Sequence, residues 1–195
     1  MRRVLVIDDH ESSRKQLITI LRDGGYEIAG EETSGKLAPV LARAAVPDVI
    51  LMAVGLPDID GIEAARDVMQ SQPVPIVLIT SHCDTATVER AKMAGIMGYL
   101  VKPLRAPEVS PAIELAITRF QDFVSLRAEN SSLKENLEAR KLIERAKGLL
   151  MSQRNLTEEQ AYTLIKKTSM NMRKPMADVA QAIILAGGIF KGDKH

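Results

Sequence analysis

Two adjacent carboxylates, Asp8-Asp9, close the apolar run VLVID near the start of the chain. A hydroxyl pair, Thr80-Ser81, closes a second run, PIVLIT, and Lys102-Pro103 closes a third, GYLV. Paired carboxylates suit a hard, oxygen-seeking cation such as Mg2+, whose octahedron is completed by water and phosphoryl oxygens. A hydroxyl and an ammonium beside them would hold the other oxygens of a phosphoryl group and neutralise its charge. The set lacks a nucleophile. A fourth run, DVILM, leads to Ala53 at the mouth of the loop VGLPDIDG. An aspartate there could attack a phosphodonor and hold an acyl phosphate. Taken singly, each residue has a plain reading: a solvated strand end, a strand threonine, a surface lysine. Their joint arrival at strand ends is what points to chemistry.

That arrival requires a particular scaffold. VLVID (4–8), YEIAG (26–30), DVILM (48–52), PIVLIT (75–80) and GYLV (98–101) read as five strands, apolar enough to be buried on both faces. Helical patterns alternate with them at Ser12–Arg22, Gly35–Ala45, Gly61–Gln70 and Thr85–Ala94, with a fifth opening near Pro107. Gly or Pro follows each of the first four as a stop signal. Strict alternation predicts an α/β fold, a doubly wound five-stranded parallel sheet with helices on both faces. The site of such a sheet lies at the carboxyl ends of its strands. Asp60, just before Gly61, is expected to cap a helix rather than replace the missing nucleophile. His10 and His82 lack metal-ligand spacing and read as loop residues, and Cys83 reads as a small residue at a strand end.

Residues 1–120 resemble a response-regulator receiver domain of two-component signalling. VIDDHESSR resembles that family's first-strand acidic pair, PDVILMAVGLPDIDG its phosphoacceptor strand and loop, and GYLVKP its fifth strand with a Lys-Pro. The resemblance implies a flavodoxin-like sheet, Asp8 and Asp9 as Mg2+ carboxylates, and Thr80 as the switch hydroxyl. It also implies Tyr99 as the switch aromatic, Lys102 as the phosphate-contacting lysine, a cis Lys102–Pro103 bond and a sensor histidine kinase as partner. Ala53 falls on the phosphoacceptor position, and there the chain departs from the family. One account is a receiver that works without phosphorylation; the other is an Asp→Ala replacement in a working one. The intact Asp8/Asp9/Thr80/Lys102 set favours the second. Either way, Mg2+ binding is expected to be weakened.

The fifth helix is expected to run on to about Gln153. Phe123, Leu126, Asn130, Leu133 and Leu137 step by 3, 4, 3 and 4, the narrow seam of a two-stranded coiled coil over a linker at 121–138. The apolar stripe then widens to Leu142, Ile143, Ala146, Leu149 and Leu150, as on a helix of a globular bundle. Thr157 to Gln160 forms a capping box, Pro175 opens another helix and Gly187-Gly188 is expected to close it. The rear of the chain is therefore a small all-α, three-helix unit over 136–195. Arg140, Lys147 and Arg154 share one helical face, with Lys141 and Arg145 further round and Lys166, Lys167, Arg173 and Lys174 beyond. Tyr162 could stack on a base, but its spacing from Ile165 favours packing inside the bundle.

The stretch from Ala139 to Ile184, with RAKGLLM, EEQAY and DVAQAII, closely resembles the ANTAR domain, a three-helix RNA-binding module of transcription antiterminators. That resemblance implies dimeric binding to paired hairpins in nascent mRNA, with the nine basic residues just named as candidate contacts. RNA loops offer phosphates and unstacked bases, which basic side chains can meet.

The formal net charge of +1 hides an acidic front and a basic rear: residues 1–118 carry 12 Lys/Arg against 16 Asp/Glu, and 119–195 carry 14 against 9. Such asymmetry suits a rear unit that meets a polyanion. No apolar run is long enough to span a membrane, the N-terminus has no signal-peptide pattern, and a single cysteine suits a reducing cytoplasm. The expected function is an RNA-binding antiterminator, not an enzyme, gated by phosphorylation and homodimerisation. A DNA-binding response regulator and a protein-recruiting adaptor are the alternatives.

Overall fold

A computed structural model describes residues 1–81 and 84–189, so His82, Cys83 and the tail after Ile189 lie outside the described residues. The chain forms two compact units, 1–124 and 125–195.

In the first unit, β1 (Arg3–Ile7), β2 (Glu27–Glu32), β3 (Val49–Ala53), β4 (Ile76–Thr80) and β5 (Gly98–Val101) pair in parallel in the order β2-β1-β3-β4-β5. The helices between them are α1 (Glu11–Asp23), α2 (Ala38–Ala45), α3 (Gly61–Ser71) and α4 (Thr85–Met93), and α5 (Ala106–Arg154) follows β5. The period-two alternation of the strands sorts their side chains into two cores. Val4, Val6, Val49, Leu51, Val77 and Ile79 pack with α1 and the start of α5, through Leu17, Leu21, Ile113 and Ala116. Leu5, Ile7, Ile50, Met52, Ile76 and Leu78 pack with α2 and α3, through Ala42, Ile62 and Val68. Burial on both faces explains why β1, β3 and β4 read as unbroken apolar runs. The edge strands differ: β2 is mostly half-exposed, and Tyr99 and Val101 of β5 face solvent.

Some boundaries moved for identifiable reasons. α2 begins at Ala38 rather than Gly35, because Gly35 is held in a tight approach where a Cβ would press on Ile59 and Leu56 at 2.6 and 3.0 Å. Tyr26 precedes β2 and is buried in the α1 core, its hydroxyl donating to Glu114 at 3.4 Å. Pro111 sits in the second turn of α5, where it forgoes one backbone hydrogen bond without ending the helix. Side-chain caps open α3, where Asp60 accepts from the Ile62 N–H, and α4, where Asp84 accepts from the Thr87 N–H.

The second unit packs the last turns of α5 with α6 (Glu158–Met172) and α7 (Met176–Ile189). The Thr157/Gln160 capping box is present in full at the start of α6. Gly187 and Gly188 do not close α7, which runs through them to Ile189.

Candidate functional site

The order of the sheet reverses between β1 and β3, and the carboxyl ends of β1, β3, β4 and β5 converge beside that point. Asp8 is fully buried there. Its Oδ1 accepts from the His10 backbone N–H at 2.9 Å, and its Oδ2 accepts from the Ser13 hydroxyl and the Lys102 ammonium, each at 2.8 Å. Arg14 donates to the Asp8 carbonyl at 2.6 Å and pairs with Glu31 at 3.6 Å, fixing the first turn of α1 against the strand end. The Lys102 backbone N–H donates to the Thr80 carbonyl at 2.8 Å, and the Lys102–Pro103 bond is cis as expected. Thr80 is buried, whereas Asp9 and Tyr99 are exposed. Ser13 and Arg14 were not read from the sequence as pocket residues; their place one turn into the helix after Asp8 was the available signal.

Ala53 ends β3, buried, with only a methyl to offer. The loop after it returns closely: the Gly61 N–H donates to the Val54 carbonyl at 2.7 Å, and a Cβ on Gly61 would collide with the Ala53 carbonyl oxygen. Neither loop aspartate is free to serve position 53. Asp58 accepts from the Ser34 hydroxyl at 2.6 Å and from the N–H groups of Gly35 and Lys36 at 2.9 and 3.1 Å. These bonds, led by that of Ser34, hold its carboxyl below the usual range, at about 2. Asp60 caps α3 and pairs with Arg90 of α4 at 2.8 Å, which raises the Arg90 guanidinium further above its ordinary value.

For Mg2+ the donor set is short. Position 53 supplies no side-chain oxygen, Asp8 already neutralises Lys102, and only Asp9 among the strand-end carboxylates is exposed. A dication would have to displace the ammonium from a fully buried carboxylate. The residues present do not fit a tight Mg2+ site.

The basic residues of the second unit fall into two groups. Arg140, Lys141, Arg145 and Arg154 on α5 are exposed, as are Lys166 and Lys167 on α6 and Arg173 and Lys174 after it. Lys141 is paired with Glu138 at 2.7 Å. Lys147 is different: its side chain is only 8% exposed, bridging Glu144 at 2.9 Å and Glu158 of α6 at 2.7 Å. The bonds to Glu158 and then Glu144 raise the Lys147 ammonium above its ordinary value, and Lys147 in turn lowers Glu158. The expected open face of Arg140, Lys147 and Arg154 is therefore corrected at its centre, since Lys147 ties two helices together. Its spacing of four from Ile143 and three from Leu150 put it at the edge of the apolar stripe, a signal outweighed by its charge. Tyr162 is corrected in the opposite direction: it lies outside the bundle core and is 44% exposed. Along the seam, Leu126, Leu133 and Leu137 are exposed at 66, 62 and 54%.

A parallel β2-β1-β3-β4-β5 sheet with Asp8, Asp9, Thr80 and Lys102 at its carboxyl edge defines a receiver-type domain. The response-regulator receiver family matches residues 4–114, and the ANTAR domain family matches residues 131–184. The chain belongs to the response regulators, as a receiver joined to an ANTAR domain, the arrangement of RNA-binding antiterminators. It is 43% identical over 183 residues to the transcriptional regulatory protein PdtaR of Mycobacterium tuberculosis, covering 94% of this chain and 89% of that one. It is 33% identical over 113 residues to the chemotaxis protein CheY of Thermotoga maritima, covering 57% of this chain and 94% of that protein. Among solved structures, the receiver domain of a modulated diguanylate cyclase from Desulfovibrio desulfuricans superposes with a TM-score of 0.58 at 32% identity, over 62% of this chain and 97% of that one. Among the described residues, no helix is long and apolar enough to cross a membrane.

Proposed function

We propose that this response regulator acts in the cytoplasm, without catalysing a reaction, by binding paired hairpins in nascent mRNA so that a terminator does not form. The observation that carries this reading is the set of exposed Arg140, Arg145, Arg154, Lys166, Lys167, Arg173 and Lys174, none with a carboxylate partner among the described residues. Unpaired cations on a small helical unit suit a polyanion, and each phosphate they neutralise releases counterions. Lys141 supports the face despite its bond to Glu138. Lys147 is assigned to holding the unit together instead. The receiver occupies 1–120, a helical linker follows over 121–138, and the RNA-binding unit spans 136–195.

The uncovered leucines at 126, 133 and 137 fit a parallel two-stranded seam between two copies of the chain, with Asn130 setting its register. A dimer would present two RNA sites together and gain affinity through effective concentration. In a receiver with an aspartate at position 53, a sensor kinase would bias that assembly by phosphorylation. With Ala53 the chain stays in the unphosphorylated ensemble, mainly monomeric and weakly binding, with low affinity for Mg2+.

The test is a titration of the full chain with hairpin RNA against duplex DNA of equal length at several salt concentrations. Preference for the hairpin, with affinity falling steeply as salt rises, supports the reading. Preference for duplex DNA would make this a DNA-binding regulator, and binding to neither would leave the adaptor alternative. Sedimentation at micromolar protein checks the gating, which a stable dimer would contradict.

A further inference from the structure

An exposed tyrosine on a helix of a small basic unit calls for a partner. Tyr162 is the one aromatic residue among the described residues of the second unit, and no hydrogen bond or ring contact engages it there. Its position on α6 is defined by periodicity. Glu158, Tyr162 and Lys166 follow at steps of 4 and 4 and lie on one stripe. The first member of that stripe is anchored, since Glu158 accepts from Lys147 of α5 at 2.7 Å.

That bond also fixes the register of the hairpin. Ala146 and Leu150 of α5 share a core with Ala161 and Ile165 of α6, and the short turn at 155–157 reverses the chain between them. Moving two turns away from the Lys147–Glu158 bond on each helix reaches Arg140 on α5 and Lys166 on α6. On α6, Tyr162 lies one turn from Glu158 and one turn from Lys166. Neither cation has a carboxylate partner among the described residues. An exposed aromatic face one turn from a free cation suits a splayed nucleobase with a phosphate beside it. A protein partner would need acidic groups and an apolar pocket to match, whereas single-stranded RNA carries both complements in every nucleotide.

We infer that Tyr162 is the nucleobase-stacking residue of the RNA site. Lys166, one turn on, is its phosphate contact, and the Lys147–Glu158 bond is the positioning element that holds the start of α6 to α5. This rests on the RNA-binding reading above and adds the residue that recognises an unpaired base.

The probe is a fluorescein-labelled stem-loop RNA selected from a randomised-loop pool on the full chain. Tyr162→Phe, which keeps the ring, should bind within about twofold of wild type. Tyr162→Leu and Tyr162→Ala should bind about 10- to 100-fold more weakly, with an unchanged dependence on salt. Lys166→Gln should reduce the salt slope by about one. Thermal unfolding of the Tyr162 variants should stay near wild type, because the side chain is exposed. If Tyr162→Leu binds as tightly as wild type, or Tyr162→Phe loses as much as Tyr162→Ala, the stacking assignment is overturned while RNA binding stands. If neither the wild-type chain nor Ala53→Asp treated with acetyl phosphate and Mg2+ selects an RNA, the RNA-binding reading falls and this inference falls with it.

Discussion

Lys102 and Lys147 are both lysines held by carboxylates, one in each unit, and they differ in what surrounds them. Lys102 meets a fully buried carboxylate, Asp8, at the end of a sheet. Lys147 is itself buried and meets two exposed ones, Glu144 and Glu158, with side chains 58 and 69% accessible. In the receiver the acid cannot return to water if its partner is lost. In the helical unit both acids can. An ion pair's importance to the fold thus depends on which member is trapped, not on the number of bonds drawn.

The largest effect tests the frame of the receiver pocket. Gly61→Ala places a Cβ against the Ala53 carbonyl and should cost about 3 kcal/mol of stability in chemical denaturation. A cost below about 1 kcal/mol would mean that the loop can move off position 53. Next, Lys102→Met strands Asp8 and should cost about 2 kcal/mol, less than a wholly buried pair because Lys102 is itself partly exposed. Lys147→Met should lower the melting temperature of the helical unit by less than Lys102→Met lowers that of the receiver. The reverse order would break the comparison.

Acid should separate the contributions further. Asp58 titrates at about 2 in the folded chain, below its ordinary value of 3.8. A depressed carboxyl contributes stability that is full above the unfolded value and lost as pH falls through the folded one. The difference in melting temperature between wild type and Asp58→Asn should therefore shrink between about pH 4 and pH 2. A difference that grows with acid would contradict the Ser34–Asp58 bond. The smallest effect is Gly148→Ala: a Cβ there meets nothing within 4 Å, so the change should stabilise α5 by about 0.5–1 kcal/mol.

The same two lysines show what was legible in the sequence. Lys102 could be placed because β5 ends where its apolar run ends, and parallel topology brings strand ends together whatever the loops do. Ala53, Thr80 and Asp8 were readable for the same reason. A helix face has no such edge. Lys147 lies at the margin between the apolar stripe and the open side, and its partner Glu158 is on another helix, so its direction was set by a contact that periodicity does not carry. Tyr162 was misjudged by the same kind of ambiguity. The Asp58 bonds to Ser34, Gly35 and Lys36 join two loops more than twenty residues apart, and that contact also moved the start of α2. The pocket at the strand ends was legible, down to the bare methyl of Ala53; the basic surface of the helical unit was legible in charge but not in which cations are free.

The most direct test of the account is the RNA affinity of Ala53→Asp, measured beside wild type with and without acetyl phosphate and Mg2+. The carboxylate of the variant would attack the phosphorus, release acetate and hold an acyl phosphate. The account predicts a labile phosphate, dimerisation and tighter hairpin binding for the variant alone, with wild type unchanged by the same treatment. A wild-type chain that already binds hairpins as a stable dimer, with a phosphorylated variant no tighter, would contradict it.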